Sequence, residues 1–221
     1  VYRLGIDGAL GAFSAALVRD DDPAFERAAV AHGNDALERG IAIVDQALGE
    51  VRLAELGGIA VGLGPGSFTG LRIALSYAKS FAFASGVPLV GVSSYDASTP
   101  PDAPPTHATF VHGRVGIACV RYRAPETETI LCGPYDALAE MLAAHVARGA
   151  ELTCYGIPEG ATRALGERQI IVRSGSAPTT IPALSVVRRA VWTERAAQPH
   201  ALRADYGEAH YAERDPETRS G

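Results

Sequence analysis

Three glycines, a proline and a serine stand within seven residues, Gly64-Pro65-Gly66-Ser67-Phe68-Thr69-Gly70, and leave the backbone few ways to run. Before them, Gly58-Ile59-Ala60-Val61-Gly62 is an apolar run of strand length; after them, Leu71 to Ser85 reads as a helix stopped by Gly86 and Pro88. A strand must therefore empty through a glycine turn into a helix. Such a junction gathers free backbone N–H groups and the positive end of a helix dipole at one spot, which suits an anion or phosphate. Glycines serve a tight structural turn equally well, because they adopt positive φ at little steric cost. Both readings stay open. On the first, Asp7, Gly64, Gly66, Ser67, Thr69 and Gly70 are the candidate anion or nucleotide ligands.

Single letters disfavour three common chemistries. A P-loop needs Lys and then Ser or Thr after its second glycine, where Leu71-Arg72 follow Gly70. The dinucleotide fingerprint needs glycine at the position of Thr69. A nucleophile elbow centred on Ser67 needs glycines where Pro65 and Thr69 stand.

A length of 221 residues holds one large or two small domains, and 47% hydrophobic with 20% charged residues is a globular composition. The net charge of −5 excludes a broad basic surface that wraps nucleic acid, so RNA contact is local or delivered by a partner. No apolar run has the length of a membrane span, and the first residues already read as a strand, which predicts no signal peptide unless the start has been trimmed. Cys119, Cys132 and Cys154 are odd in number and widely spaced, which predicts buried thiols in a reducing cytoplasm and neither a disulfide frame nor a zinc site.

In chain order, Tyr2 to Asp7 is a strand ending in Asp7-Gly8, and Gly11 to Val18 returns as its hairpin partner. Asp7 is a turn residue on the bland reading; on the sharper one it opens the phosphate-binding half of an actin-like fold. Phe25 to Ala31 is a third strand. Asn34 or Asp35 caps a helix over Ala36 to Leu48, with Leu37, Ile41, Val44 and Leu48 on one stripe. The Leu71–Ser85 helix is apolar over half its circumference or more, and its small residues Ala74, Ala78 and Ala82 permit close helix approach. It is either buried between sheet and neighbouring helix or shared between the sheet and a partner protein.

Pro88 to Val92 is a buried strand, and the run Thr99-Pro100-Pro101-Asp102-Ala103-Pro104-Pro105 marks a domain boundary. Beyond it, Ala108 to Val111 and Val115 to Tyr122 form a hairpin around His112-Gly113-Arg114, followed by a strand over Thr127 to Leu131. A helix over Tyr135 to Arg148, strands over Leu152 to Tyr155 and Gln169 to Val172, and a short helix over Glu159 to Leu165 complete a second set. Ile181 to Ala197 is a last helix burying Leu184, Val187, Val191 and Trp192, and the tail beyond Pro199 is loosely held unless Tyr206 or Tyr211 docks. The order of elements is that of two related α/β lobes.

The motif from Gly64 to Ile73, preceded by Ile59-Ala60-Val61-Gly62 and followed by Gly86-Val87-Pro88-Leu89-Val90-Gly91-Val92-Ser93-Ser94, resembles the TsaB (YeaZ) family over about residues 1–98. That resemblance implies two actin-like ATPase lobes of the ASKHA, RNase H-like kind, with mixed sheets flanked by helices. The first lobe would be residues 1–98 with the helix 181–197 packed back on it, the second and more degenerate lobe 106–180, and the tail 198–221. It implies a non-catalytic subunit for threonylcarbamoyl transfer to adenosine 37 of ANN-decoding tRNAs. Its partners would be the paralogue TsaD and the ATPase TsaE, with tRNA met only through the complex and a homodimer as the alternative association. The partner surface would lie on the two first-lobe helices, at Leu37, Ile41, Gly70, Ile73, Ala74, Tyr77, Ala78 and Phe81. Ala74 or Ala78 changed to Arg would then break the pairing and spare the fold.

Where TsaD-type proteins carry a metal-binding histidine pair, Ser94 and Ser98 stand here, and hydroxyls are poor transition-metal ligands. No cofactor is therefore expected, ATP binding being the one alternative. The usual Asp-Thr after the first strand is Asp7-Gly8, and the second-lobe strand keeps Arg114 and Gly116 while losing both acids of the family pattern. Rival functions are an active actin-like ATPase or kinase and, with less in its favour, a peptidase, which needs a metal or an activated nucleophile.

Overall fold

The computed structural model describes residues 1–32, 38–114, 116–176, 178, 181–192 and 201–207. The chain divides into two units, Val1–Ala97 with Pro178–Asp205 and Ser98–Ala177 with Tyr206–Gly221.

In the first unit, β1 (Tyr2–Asp7) pairs antiparallel with β2 (Phe13–Arg19), and β2 with β3 (Asp22–Ala31). β4 (Leu56–Gly64) and β5 (Leu89–Ser93) add in parallel, giving the order β3-β2-β1-β4-β5. Alternation along the strands sends Leu4, Ile6, Ile59 and Val61 to one face, where α1 (Gly40–Leu48) and α2 (Phe68–Ser85) cover them. Ala16, Ala60 and Val92 face the other way and meet α6 (Pro182–Arg189). Gly5 permits that closeness, since a Cβ there would stand 2.3 Å from the Ala183 carbonyl oxygen. A short α3 (Ser94–Ser98) follows β5.

Several boundaries differ from the sequence reading, and α2 starts at Phe68 and not at Leu71. α1 begins at Gly40 with Arg39 at its cap; Asn34, Asp35 and Leu37 lie outside the described residues. Its buried stripe is Gly40, Ile43, Val44, Ala47 and Leu48, which leaves Ile41 61% exposed. α6 ends at Arg189, so Val191 is exposed, and Trp192 is instead held under the Arg3 guanidinium, 4.4 Å from its ring. The segment after Pro199 is not loose throughout. Leu202 packs on the core, its carbonyl accepts from Lys79 Nζ at 2.9 Å, and the Asp205 N–H donates to the Leu63 carbonyl at 2.7 Å. Tyr211 lies outside the described residues.

The second unit repeats the winding. β6 (His107–Arg114), β7 (Ile117–Ala124) and β8 (Thr127–Pro134) are antiparallel neighbours, and β9 (Glu151–Tyr155) and β10 (Ile171–Gly175) add in parallel, in the order β10-β9-β6-β7-β8. α4 (Tyr135–Ala143) and α5 (Glu159–Glu167) bury Leu138, Leu142 and Leu165 against Phe110, Val120 and Leu152. The β6–β7 turn sits at Gly116, with φ of 80°; Gly113 and Arg114 continue the strand. α4 stops at Ala143, short of Arg148.

Cys119 and Cys132 are joined by a disulfide, which corrects the expectation of three thiols. The cause is register: β7 and β8 turn at Pro125-Glu126, pairing Ala124 with Thr127 and so bringing Cys119 opposite Cys132. Only Cys154 is free, buried within the face that α4 and α5 cover.

Candidate functional site

The glycine turn forms where the sequence places it, and the polar groups of Ser67 are already engaged. The Ser67 N–H donates to the Ala9 carbonyl at 2.9 Å, and Ser67 Oγ caps α2 by accepting from the Gly70 N–H at 3.2 Å. The Leu71 N–H donates to the Ser67 carbonyl. A Cβ on Gly70 would stand 1.9 Å from the Gly8 carbonyl oxygen, and one on Gly66 2.3 Å from that of Ala9. Gly64, at φ 99°, would meet the Asp205 carbonyl oxygen at 2.1 Å. The glycines thus let the turn after β4 lie directly on the turn after β1. At the far end Gly86 adopts a left-handed conformation, and its N–H and that of Val87 both close on the Ala82 carbonyl.

Asp7 ends β1 completely buried. Its Oδ1 accepts from the N–H groups of Ala9 and Leu10 at 3.0 and 3.1 Å, the turn role foreseen for it. Oδ2 finds no hydrogen-bond partner among the described residues and lies over Gly62, where a Cβ would be only 2.0 Å away. Burial raises its carboxyl to about 6, against the opposing pull of the Leu10 and Ala9 N–H groups. Of the candidate anion ligands, Asp7, Gly64, Gly66, Ser67 and Gly70 are gathered by this contact, while Thr69 faces outward on α2.

α2 has two unlike faces. Gly70, Leu71, Ala74, Ala78 and Ala82 are buried on the sheet. This corrects the assignment of Gly70, Ala74 and Ala78 to a partner surface: small residues seat the helix close on its own strands, and an arginine at Ala74 or Ala78 would enter the core. Ile73, Tyr77 and Phe81 are half-buried, while Thr69, Arg72, Ser76 and Ser80 are exposed and Phe83 is 77% exposed. Tyr77 meets Phe13 edge-on at 5.9 Å and stacks on Phe81 at 6.1 Å. Gly40 of α1 lies beneath it, where a Cβ would be 2.5 Å from Cε2, so the two helices touch there. Thr69, Arg72, Ile73, Ser76 and Tyr77 line a shallow hollow of about 290 Å³ on this outer face. Ile41 was findable from sequence only as apolar; its exposure follows from where α1 begins.

Two sheets of one winding, each with antiparallel strands leading into parallel ones, define a two-lobed actin-like α/β protein. The family model of TsaD, tRNA N6-adenosine threonylcarbamoyltransferase, matches residues 31–159, more than half the chain, and the chain belongs to this family of tRNA-modification proteins. Its TsaB (YeaZ) kinship stands with it. YeaZ from Pseudomonas aeruginosa superposes with a TM-score of 0.65 at 20% identity, covering 93% of this chain and 99% of that one. The ethanolamine utilization protein EutJ from Carboxydothermus hydrogenoformans gives 0.50 at 13% identity, covering 85% and 89%. An uncharacterized Mycobacterium tuberculosis protein is 39% identical over 100 residues, 42% of this chain and 46% of its own. One from Mycobacterium leprae is 46% identical over 48 residues, 22% of this chain and 13% of its own, so the chain matches less than half the length of these curated relatives. Among the described residues no helix is long and apolar enough to cross a membrane, and no three or more His, Cys, Asp or Glu side chains are grouped to hold a metal.

Proposed function

We propose that this chain is a partner-binding subunit for threonylcarbamoyl transfer to adenosine 37 of tRNA, pairing with a TsaD paralogue through the outer face of α1 and α2 and making no bond itself. The observation that carries this reading is the outward half of α2. There Ile73, Tyr77 and Phe81 stay half-exposed beside an exposed Ile41, although the helix has already buried a full alanine-lined face on its own sheet. Covering that surplus apolar area contributes about 25 cal/mol per Å² before association costs are subtracted. TsaE would join the pair, and the same face would serve a homodimer when TsaD is absent.

Ile41→Arg and Ser76→Arg place charge on exposed positions of this face without entering the core. Each is expected to abolish co-purification with TsaD and the tRNA modification in a reconstituted system, with an unchanged melting temperature. Undiminished pull-down and modification by both variants would remove the proposal. A second reading, nucleotide binding at the end of β1, is favoured by the unpartnered Oδ2 of Asp7. Calorimetry with ATP and Mg²⁺ tests it: binding heat that vanishes in Asp7→Asn supports a nucleotide site, and no heat in the parent chain rejects it.

A further inference from the structure

The disulfide stands apart from the partner surface. Cys119 is buried, Cys132 is half-buried, and β8, which carries Cys132, is the edge strand of its sheet. A small thiolate can therefore approach Cys132 Sγ from the open edge, whereas Cys119 Sγ is shielded. The third cysteine is kept out of the exchange. Cys154 is two strands away from β7, completely buried, donates its thiol to the Leu152 carbonyl, and has its thiol pushed up to about 12 by burial. The pairing register continues from Cys119–Cys132 through Ala118–Gly133 to Ile117–Pro134. Pro134 is the cap of α4, and with Gly116, Tyr135 and Asp136 it lines a surface cavity of about 390 Å³ closed on the other side by Gly160 and Arg163 of α5. The bond thus ties together the two segments that form one wall of that cavity.

We propose that Cys119 and Cys132 are a reversible thiol–disulfide exchange site, opened by small thiols at Cys132, whose oxidation state fixes or frees the β8–α4 wall of the cavity. In the forward step a thiolate RS⁻ attacks Cys132 Sγ, forming a mixed disulfide there while the Cys119 sulfur leaves as thiolate and takes a proton. A second RS⁻ attacks the outer sulfur of the mixed disulfide, releasing RSSR and the Cys132 thiolate. The protein gains two thiols, and two small thiols are oxidised to one small disulfide. A small disulfide such as oxidised glutathione reverses both steps. In a reducing compartment the wall would be held by the β7–β8 ladder and the packing of α4 on its sheet, with no covalent tie.

The test uses the full chain, air-oxidised and then treated with dithiothreitol without denaturant. Native reduction is expected to make two cysteines, Cys119 and Cys132, alkylable by N-ethylmaleimide while Cys154 reacts only after unfolding. Amide exchange over residues 127–136 should accelerate about tenfold or more on reduction, with β1 and β4 unchanged, and oxidised glutathione should restore the slow rate. The double variant Cys119→Ser with Cys132→Ser should exchange at the reduced rate in either condition. A bond that resists native dithiothreitol, labelling of Cys154 ahead of the pair, or an unchanged exchange rate at 127–136 after reduction would each overturn the proposal.

Discussion

The two sheets share one winding, three antiparallel strands followed by two parallel strands behind crossover helices, yet they fasten their crossovers differently. After β4 the chain turns through Gly64–Gly70, whose backbone rests on the backbone of Gly8 and Ala9, and enters a helix of 18 residues. After β9 it turns through Gly156-Ile157-Pro158 into a helix of 9 residues with no side-chain cap. The third strand pair in from the open end of the hairpin, away from its turn, is Ala15 with Ala29 in the first sheet and Cys119 with Cys132 in the second. One lobe gains rigidity from backbone-to-backbone contact and can spare a long outer helix face; the other uses a shorter helix and a covalent tie. The lobe with the closer joint is also the one whose helices leave Ile41 exposed and Ile73, Tyr77 and Phe81 half-exposed.

The largest effect that can break this comparison is an arginine on the inner face of α2. Ala78→Arg buries an unpaired charge in the core of the first unit, and a loss of about 3–5 kcal/mol is expected, enough to unfold that unit. Denaturant titration checks it, with Ser76→Arg on the same helix as the silent control, expected within about 0.5 kcal/mol of the parent. Equal stability of the two variants would mean that α2 does not sit on the sheet as described.

A middle-sized effect compares the crossovers directly. Gly70→Ala would push a Cβ into the Gly8 carbonyl, backbone against backbone, whereas Gly160→Ala meets the ring of Tyr135, which can swing aside. The first is expected to cost about 2–4 kcal/mol and the second about 1 kcal/mol or less, read as paired urea midpoints. If Gly160→Ala cost as much as Gly70→Ala, the second crossover would be as tightly joined as the first.

Sequence reasoning reached the glycine turn, the stop of α2 and the two-lobe order because those rest on local residue types, glycine and proline punctuation and apolar runs; it started α2 at Leu71, three residues late, because the cap that Ser67 supplies was not read. It did not reach what depends on register or on contacts far along the chain. Cys119 and Cys132 are equidistant from the Pro125-Glu126 turn, a signal available once β7 and β8 are drawn as a hairpin. The alanines of α2 read equally as close-packing on a sheet or on a partner, and only burial separates the two. Leu202 reaches the core of the first unit by a return of the chain that no local pattern announces.

The smallest effect sharpens the difference at the strand ends that face the two crossovers. β1 ends in Asp7, whereas β6 ends in Gly113-Arg114 and carries no acid there. The folded Asp7 carboxyl titrates at about 6, above its ordinary 3.8, so the folded state holds a proton that the unfolded state has lost between those values. Stability therefore falls as pH rises from about 4 to about 6 and stays lower above it, by an amount on the order of 2–3 kcal/mol. Asp7→Asn keeps an oxygen for the Ala9 and Leu10 N–H groups and removes the charge. Subtracting the variant's stability from the parent's at each pH isolates this one group. The difference should move against the parent across pH 4–6 and then level off; a flat difference would show that the Asp7 carboxyl keeps its ordinary acidity when folded.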